Sequence, residues 1–205
     1  MPRAFGEEEK EQIQNFLIEK GKELFSLYGF KKTGVSDLTS AAGIAQGSFY
    51  LFFNSKEELY FEIMEREEKN VREKFVHWLN NSGPMTRSRF REFLRLALNI
   101  FQENHFLRRL MMENELTEIL KRLPPDLMDK HAKRDAAFME PLIRHWQETG
   151  VMIDSSPDAI AGVIRSLFIL PLYQKEIGEE VFTEVMELYI SSIACGLIME
   201  TGQTE

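Results

Sequence analysis

Cysteine is almost absent from this sequence, and no hydrophobic run approaches the length of a membrane span. The only cysteine, Cys195, cannot form a disulfide within the chain, which suits a reducing compartment. A membrane helix needs about twenty apolar residues in succession, and residues 1–10 are charged and lack the apolar centre of a signal peptide. The sequence therefore predicts a soluble, cytoplasmic protein without a membrane partner.

Sequence patterns for metal binding, phosphate binding and covalent catalysis are also missing. None of the four histidines, His77, His105, His131 and His145, stands at ligand spacing from another histidine or from the cysteine. The glycines form no phosphate-binding loop, and no serine or cysteine lies in a nucleophile motif. We expect no metal, no cofactor and no enzymatic activity.

Acidic residues outnumber basic ones in the chain as a whole, but not in its first quarter. The 205 residues carry a net charge of −8, which argues against non-specific binding to nucleic acid. Residues 1–56 contain seven Lys or Arg and seven Asp or Glu, so the whole excess of negative charge follows residue 56. Lys31, Lys32 and Lys56 lie in this neutral segment.

Apolar residues recur at helical spacing through most of the chain, and no segment alternates as a half-buried strand does. We predict an all-α fold of about nine helices, with an N-terminal three-helix domain over residues 1–54 and a larger helical domain over residues 55–205. The long helices are expected over residues 7–28, 55–81, 86–102, 105–123, 126–149, 159–176 and 179–199.

Residues 33–56 contain the most informative pattern in the sequence. They begin with a short helix that has a face of small apolar side chains, and either Ser36 or Thr33 can cap its start. Gly43 follows where the chain has to turn sharply, because glycine adopts a left-handed conformation without a steric penalty. The pattern predicts a first short helix that ends in a glycine turn.

A second short helix is predicted after this turn, from about Gln46 to Phe52. Phe49 and Phe53 are four residues apart and can pack inward, which leaves polar and small side chains on the outside. Two short helices joined by a glycine turn are typical of a helix-turn-helix motif, whose second helix enters the major groove of DNA.

At these positions the sequence resembles the TetR family of transcriptional regulators. The shared pattern comprises Gly29-Phe30, Thr33, Ala41-Ala42-Gly43-Ile44, Gly47-Ser48-Phe49-Tyr50 and Phe53-Asn54-Ser55-Lys56-Glu57-Glu58-Leu59. The chain departs from the family pattern at Leu38-Thr39, where Ile-Ala is usual, and at Leu51, where a histidine or another polar residue is common. The resemblance implies a DNA-binding domain followed by a helical domain for effector binding and dimerisation.

The resemblance also implies which residues contact DNA. Gln46 can pair with an adenine in the major groove, and Ser48 can reach a base edge or a phosphate. Gly47 lets the helix approach the DNA backbone, Tyr50 offers a hydroxyl to a phosphate, and Leu51 can make only an apolar contact. The predicted DNA-binding residues are Thr33, Ser36, Gln46, Gly47, Ser48, Tyr50, Leu51 and Lys56, of which Thr33, Ser36 and Lys56 are expected to bind phosphates.

The middle helices are rich in aromatic residues and methionine. Ordinary core packing explains each such residue taken singly, but the resemblance implies a cavity for a small effector among these helices. Such walls suit an apolar molecule, and we expect a small hydrophobic effector. The predicted pocket residues are Trp78, Phe93, Phe101, Phe106, Met111, Met112, Phe138, Met139 and Trp146.

The last two long helices are apolar over most of their circumference, so a single small chain can hardly cover both. A homodimer that packs this pair against its symmetry mate, as a four-helix bundle, covers them. The predicted interface residues are Ile164, Phe168, Leu172, Leu188, Tyr189 and Cys195.

The sequence therefore predicts a homodimeric transcriptional repressor that binds a palindromic, double-stranded DNA operator and is released by its effector. The alternative is a helical dimeric adaptor that binds a protein partner without operator recognition. The net acidity of the chain and the apolar Leu51 favour this alternative. A purely structural dimer is a third reading of the same helices.

Overall fold

The computed structural model describes residues 6–112, 119, 122–123 and 138–199, and at 111–112 it describes the backbone alone. These ranges contain helices, turns and one isolated bridge, which confirms the all-α prediction. The α-helices are α1 (Glu7–Tyr28), α2 (Val35–Ala41), α3 (Lys56–Ser82), α4 (Arg87–Glu103), α5 (His105–Met112), α6 (described over 138–148), α7 (Pro157–Ile169), α8 (Gln174–Ile177) and α9 (Phe182–Leu197). Two 3₁₀ helices, Gln46–Leu51 and Leu170–Tyr173, complete the order.

The chain forms two compact units. The first comprises the described residues of Met1–Asn70 and Asn104–Met128, and the second those of Val71–Glu103 and Asp129–Glu205. The first unit thus contains α5 and the first part of α3 in addition to the helices of the region 1–54. No helix in the described ranges is both long and apolar enough to cross a membrane.

The first unit is organised around side chains that water does not reach. Leu38 of α2, Phe49 of the 3₁₀ helix, and Leu59 and Ile63 of α3 are all fully buried in its core. α1 and α3 come very close at Gly21, where a Cβ would lie 2.9 Å from Ile63 Cδ1 and 3.3 Å from Leu59 Cδ2. A Cβ at this point of α1 would force the end of the Ile63 side chain to shift, because 2.9 Å is too short for two carbon atoms.

The start of α2 differs from the prediction. The helix begins at Val35, so Ser36 lies inside its first turn, and Gly34 is the N-cap residue. The Gly34 N–H donates to Asp37 Oδ2 at 2.8 Å, which anchors the chain where it enters the helix. Neither Ser36 nor Thr33 caps α2, because Asp37 at the third helical position fills this role.

A buried carboxylate ties α1, α3 and the start of α5 together. Glu67 of α3 forms an ion pair with Lys22 Nζ at 2.7 Å and accepts a hydrogen bond from Asn104 Nδ2 at 2.6 Å. Asn104 Oδ1 accepts from Leu107 N–H at 3.0 Å and so caps α5. The negative charge is therefore compensated inside the first unit, as a buried charge requires.

The second unit places α4, α6, α7 and α9 around one hydrophobic core. Its fully buried members include Phe90 and Phe93 of α4, Ile143 of α6 and Leu167 of α7. Backbone hydrogen bonds from Met199 N–H to Val151 O (2.8 Å) and from Ile153 N–H to Leu197 O (3.0 Å) join the end of α9 to the segment after α6.

α7 begins near the predicted start at residue 159, but it ends at Ile169 and not at 176 as predicted. Ser156 Oγ accepts from Ala159 N–H at 3.2 Å, and Pro157 occupies the first turn, where its missing N–H does no harm. Pro171 then ends the regular helix, and the chain continues as the Leu170–Tyr173 3₁₀ helix.

Candidate nucleic-acid interface

The bend between α2 and the first 3₁₀ helix is a hydrogen-bonded turn. Ala42 N–H donates to Leu38 O at 3.0 Å and ends α2. Gly43 follows with a left-handed φ of 70°, a conformation that disfavours residues with a Cβ. Ile44 N–H donates to Thr39 O at 3.0 Å, which closes the turn just before the 3₁₀ helix. The bend therefore lies where the sequence predicted it.

Two phenylalanines hold the Gln46–Leu51 helix on the core of the first unit. Phe49 is fully buried, Phe53 is nearly so, and their ring centroids are 5.9 Å apart. Phe52 N–H and Phe53 N–H both donate to Phe49 O, at 3.0 and 3.1 Å. The short helix is thereby fixed from one side, and its other sides face solvent.

The solvent side of this helix carries no charged residue. Side chains three positions apart eclipse one another in a 3₁₀ helix, so Tyr50 lies in line with Gly47 and Leu51 in line with Ser48. Tyr50 is 60% exposed and Leu51 is 71% exposed, while Ser48 is half-buried. We call Gln46, Gly47, Ser48, Tyr50 and Leu51 the reading surface.

Gly47 is a glycine that the fold of the chain does not require. Its φ is not among the positive values found in this structure, and a Cβ built on it would have no heavy atom within 4 Å. Among the described residues, the fold therefore leaves room for a Cβ at this position.

Thr33 and Lys56 have internal partners, which corrects the phosphate contacts predicted for their side chains. Thr33 is 1% exposed, and its hydroxyl donates to Gly29 O at 2.8 Å. Lys56 Nζ donates to Phe30 O at 2.7 Å and to Thr33 O at 2.8 Å, and it lies 4.1 Å from the centre of the Phe30 ring. Both side chains stabilise the turn between α1 and α2.

Ser36, the remaining predicted phosphate ligand, and two lysines near it stay at the surface. Ser36 is exposed in the first turn of α2, and Lys31 and Lys32 are exposed in the turn that precedes it. These residues flank the reading surface along the chain and bring hydroxyl and positive groups that suit a DNA backbone.

The comparisons with known proteins agree with this geometry. Residues 17–63 match the sequence model of the bacterial regulatory proteins of the tetR family. The chain is 22% identical over 191 residues to YhgD, an uncharacterized HTH-type transcriptional regulator of Bacillus subtilis, covering 86% of this chain and 94% of that protein. The chain is therefore TetR-like over residues 17–63.

Solved structures of other regulators share the fold of this chain. The reduced form of Escherichia coli NemR has a TM-score of 0.67 at 24% identity and covers 93% of this chain and 100% of its own. A transcriptional regulator candidate of Saccharomonospora viridis, solved in complex with choline, has a TM-score of 0.66 at 19% identity, with coverage of 93% and 100%. The chain is thus a TetR-like transcriptional regulator with a helix-turn-helix domain.

We expect Lys56→Met to lower the free energy of unfolding of this TetR-like regulator by about 1.5–3 kcal/mol, because two carbonyls lose a charged donor. The salt dependence of DNA binding should keep its slope, since the ammonium group is engaged within the protein. Urea denaturation and binding titrations at several salt concentrations measure the two quantities. Lys32→Met is the matched control, and it should leave the free energy of unfolding unchanged. If Lys56→Met kept its stability and showed a weaker salt dependence of DNA binding, Lys56 would contact a phosphate after all.

Arg109 is a residue of the first unit whose structural role the sequence did not reveal. Its guanidinium donates from Nη1 to Leu27 O at 3.1 Å and to Ser26 O at 3.4 Å, at the C-terminal end of α1. A cation at this position is favoured by the helix dipole and binds carbonyls that have no partner within α1. Because the partners are 82 and 83 residues away in the sequence, no local pattern could have indicated the contact.

The structure brings five of the nine predicted pocket residues into the core of the second unit. Trp78 and Phe93 have ring centroids 5.8 Å apart, and Phe93 and Trp146 have centroids 6.2 Å apart. Phe138 and Met139 pack against the same core. Phe75 and Phe90, which the prediction omitted, also join the cluster, through ring contacts with Phe138 and Trp146.

The other four predicted pocket residues are elsewhere. Phe101 contacts Phe168, with ring centroids 5.2 Å apart. Phe106 is buried in the first unit with its ring centroid 4.9 Å from that of Tyr60, so its assignment to a cavity with Phe93 is corrected. It lies there because α5 packs against α1. The side chains of Met111 and Met112 lie outside the described residues.

The predicted dimer residues divide between the inside and the outside of the second unit. Ile164 is buried in the core of its own chain, which corrects its placement in an interface. Phe168 and Leu172 are half-buried, and the half-buried Tyr189 shares a hydrogen bond of 2.6 Å with Ser166 Oγ. Leu188 and Cys195 of α9 are exposed, and so is Val163 of α7, which the prediction omitted.

Proposed function

We propose that this chain is a homodimeric repressor that binds a palindromic operator and is released by a small hydrophobic effector. The observation that supports this most strongly is the reading surface: an exposed, uncharged helix held by buried phenylalanines directly after a Gly43 turn. Residues 1–54 would contact DNA, and residues 55–205 would dimerise and bind the effector. The protein would work in the cytoplasm and catalyse no reaction.

Two reading surfaces related by a two-fold axis require a palindromic site. Dimeric helix-turn-helix proteins bind half-sites about one helical turn, ~34–36 Å, or a multiple of it apart. An effector that favours a dimer with a different spacing of its reading surfaces would lower affinity for the operator without touching DNA.

The charge of the DNA-binding region supports a repressor that depends on base recognition. Residues 1–56 have a net charge of zero, and the whole chain has a net charge of −8. Affinity for DNA of any sequence comes largely from phosphate neutralisation, so this affinity should be weak. The reading surface would then supply a large share of the binding free energy at the operator.

Gln46→Ala and Tyr50→Ala should have different consequences at the operator. Loss of the Gln46 amide should relax specificity at one base pair of each half-site, with about 1–3 kcal/mol less discrimination against the wrong base. Loss of the Tyr50 hydroxyl should weaken binding to all sequences, because a phosphate contact carries no sequence information. Titration of each variant against the operator and a set of single-base variants measures both effects, and unchanged affinity and specificity in both variants would contradict the assignment.

The aromatic core of the second unit supports a hydrophobic effector. Trp78, Phe93, Phe138 and Trp146 form one cluster, and Met139, whose side chain is unbranched and adaptable, packs against it. The S. viridis protein of the same fold was solved with choline, which aromatic side chains can bind through its cationic head. For this chain, with its apolar cluster, we propose an uncharged or acyl-chain molecule.

Tryptophan fluorescence reports on this cluster because the only two tryptophans of the chain, Trp78 and Trp146, both belong to it. We expect fatty acids of increasing chain length, but not choline, to change the emission in a saturable way and to release the operator. The same compounds should raise the melting temperature, since a ligand of the folded state stabilises it. A panel that changes neither emission nor melting temperature would contradict a hydrophobic effector.

A further inference from the structure

Leu51 is the member of the reading surface that the mechanism above leaves without a role. It is 71% exposed, and a single exposed leucine is by itself unremarkable in a soluble protein. Its position is unusual, because it stands in line with Ser48 on a helix whose solvent side carries only uncharged groups and whose opposite side is fixed by Phe49.

The chemistry of DNA limits what an isobutyl side chain can contact favourably there. Against a phosphate it would displace water from an anion without replacing the lost hydrogen bonds, which is unfavourable. Most base edges in the major groove present hydrogen-bond donors and acceptors, which a leucine cannot satisfy. The apolar group that an unmodified major groove offers is the C5 methyl of thymine.

We infer that Leu51 is a specificity-determining residue that selects a thymine in each half-site by packing on its C5 methyl. This inference rests on the proposed function, because it requires the reading surface to lie in the major groove. Gln46 and Leu51 then read by different means: the amide by hydrogen bonds and the leucine by burial of one methyl group.

Removing that methyl from the DNA tests the inference without altering any hydrogen bond between the bases. An operator is first selected from random duplexes with the full-length chain, and each thymine is then replaced singly by deoxyuridine. For the wild type, affinity should fall about fourfold at one thymine of each half-site, the factor that corresponds to burial of one methyl group. Leu51→Ala should bind the unmodified operator more weakly and lose the response at that thymine alone.

Leu27→Ala is the matched control, because Leu27 is a leucine of α1 in the same unit and is 68% exposed. This variant should respond to every deoxyuridine as the wild type does. Identical responses of the wild type and Leu51→Ala at all thymines would overturn the role of Leu51 and leave the proposed function intact. Failure to select any duplex would overturn the proposed function and the inference together.

Discussion

Gly47→Leu should abolish tight operator binding while leaving the protein as stable as before. The Cβ at this position meets no heavy atom of the chain within 4 Å, so the fold has room for a side chain. On DNA, the same side chain would fill the space in which the reading surface approaches the duplex. Loss of one good base contact in each of two half-sites costs about 2–6 kcal/mol together, which is at least thirtyfold in affinity.

The comparison of stability with affinity makes this substitution informative. Urea denaturation should give the same midpoint for Gly47→Leu and the wild type, while an operator titration should separate them. Asn80→Leu adds the same side chain at an exposed position of α3 and should change neither quantity. If Gly47→Leu bound the operator normally, the Gln46–Leu51 helix would not be the element that contacts DNA.

Leu188→Glu should dissociate the proposed dimer into folded monomers. Leu188 is 63% exposed on α9, and Val163 and Cys195 on the same unit are exposed as well. In a two-fold interface each copy of the variant would bury a carboxylate without a partner, at a cost of about 3–5 kcal/mol. The dissociation constant of the dimer should therefore rise at least a hundredfold.

Sedimentation equilibrium at micromolar concentrations measures this change directly. Leu27→Glu, which introduces the same charge at a similarly exposed leucine of α1, should leave the protein dimeric. Operator affinity should fall together with dimerisation, because two linked half-site contacts bind far more tightly than one. A Leu188→Glu protein that sediments as the wild-type dimer would place the interface elsewhere.

Local sequence signals predicted the bend and the bounds of α1, α3 and α4 well. Between residues 113 and 137, most of the predicted helices over 105–123 and 126–149 lies outside the described residues. Glu7–Tyr28 begins and ends as expected, since three glutamates favour its first turn and Gly29 ends it. Gly43 has the left-handed conformation that its position required. The second short helix is 3₁₀ and not α-helical, and over six residues the periods of 3.0 and 3.6 residues cannot be told apart from the sequence.

Contacts between distant parts of the chain could not be predicted in the same way. Lys56 has the sequence context of a phosphate ligand, but its ammonium group binds carbonyls 23 and 26 residues away. Phe106 has the spacing of a core residue, but the sequence does not say which core, and α5 joins the first unit. Helix positions follow from periodicity, whereas the assignment of a helix to a core depends on packing that only the structure shows.

We propose that this chain reads DNA with the Gln46–Leu51 helix of two subunits at once. Selection of full-length protein on a pool of random duplex DNA tests it most directly. We expect the enriched sequences to contain an inverted repeat whose half-sites are about one helical turn, or a multiple of it, apart. An unenriched pool, or a single half-site without a symmetric partner, would contradict the claim.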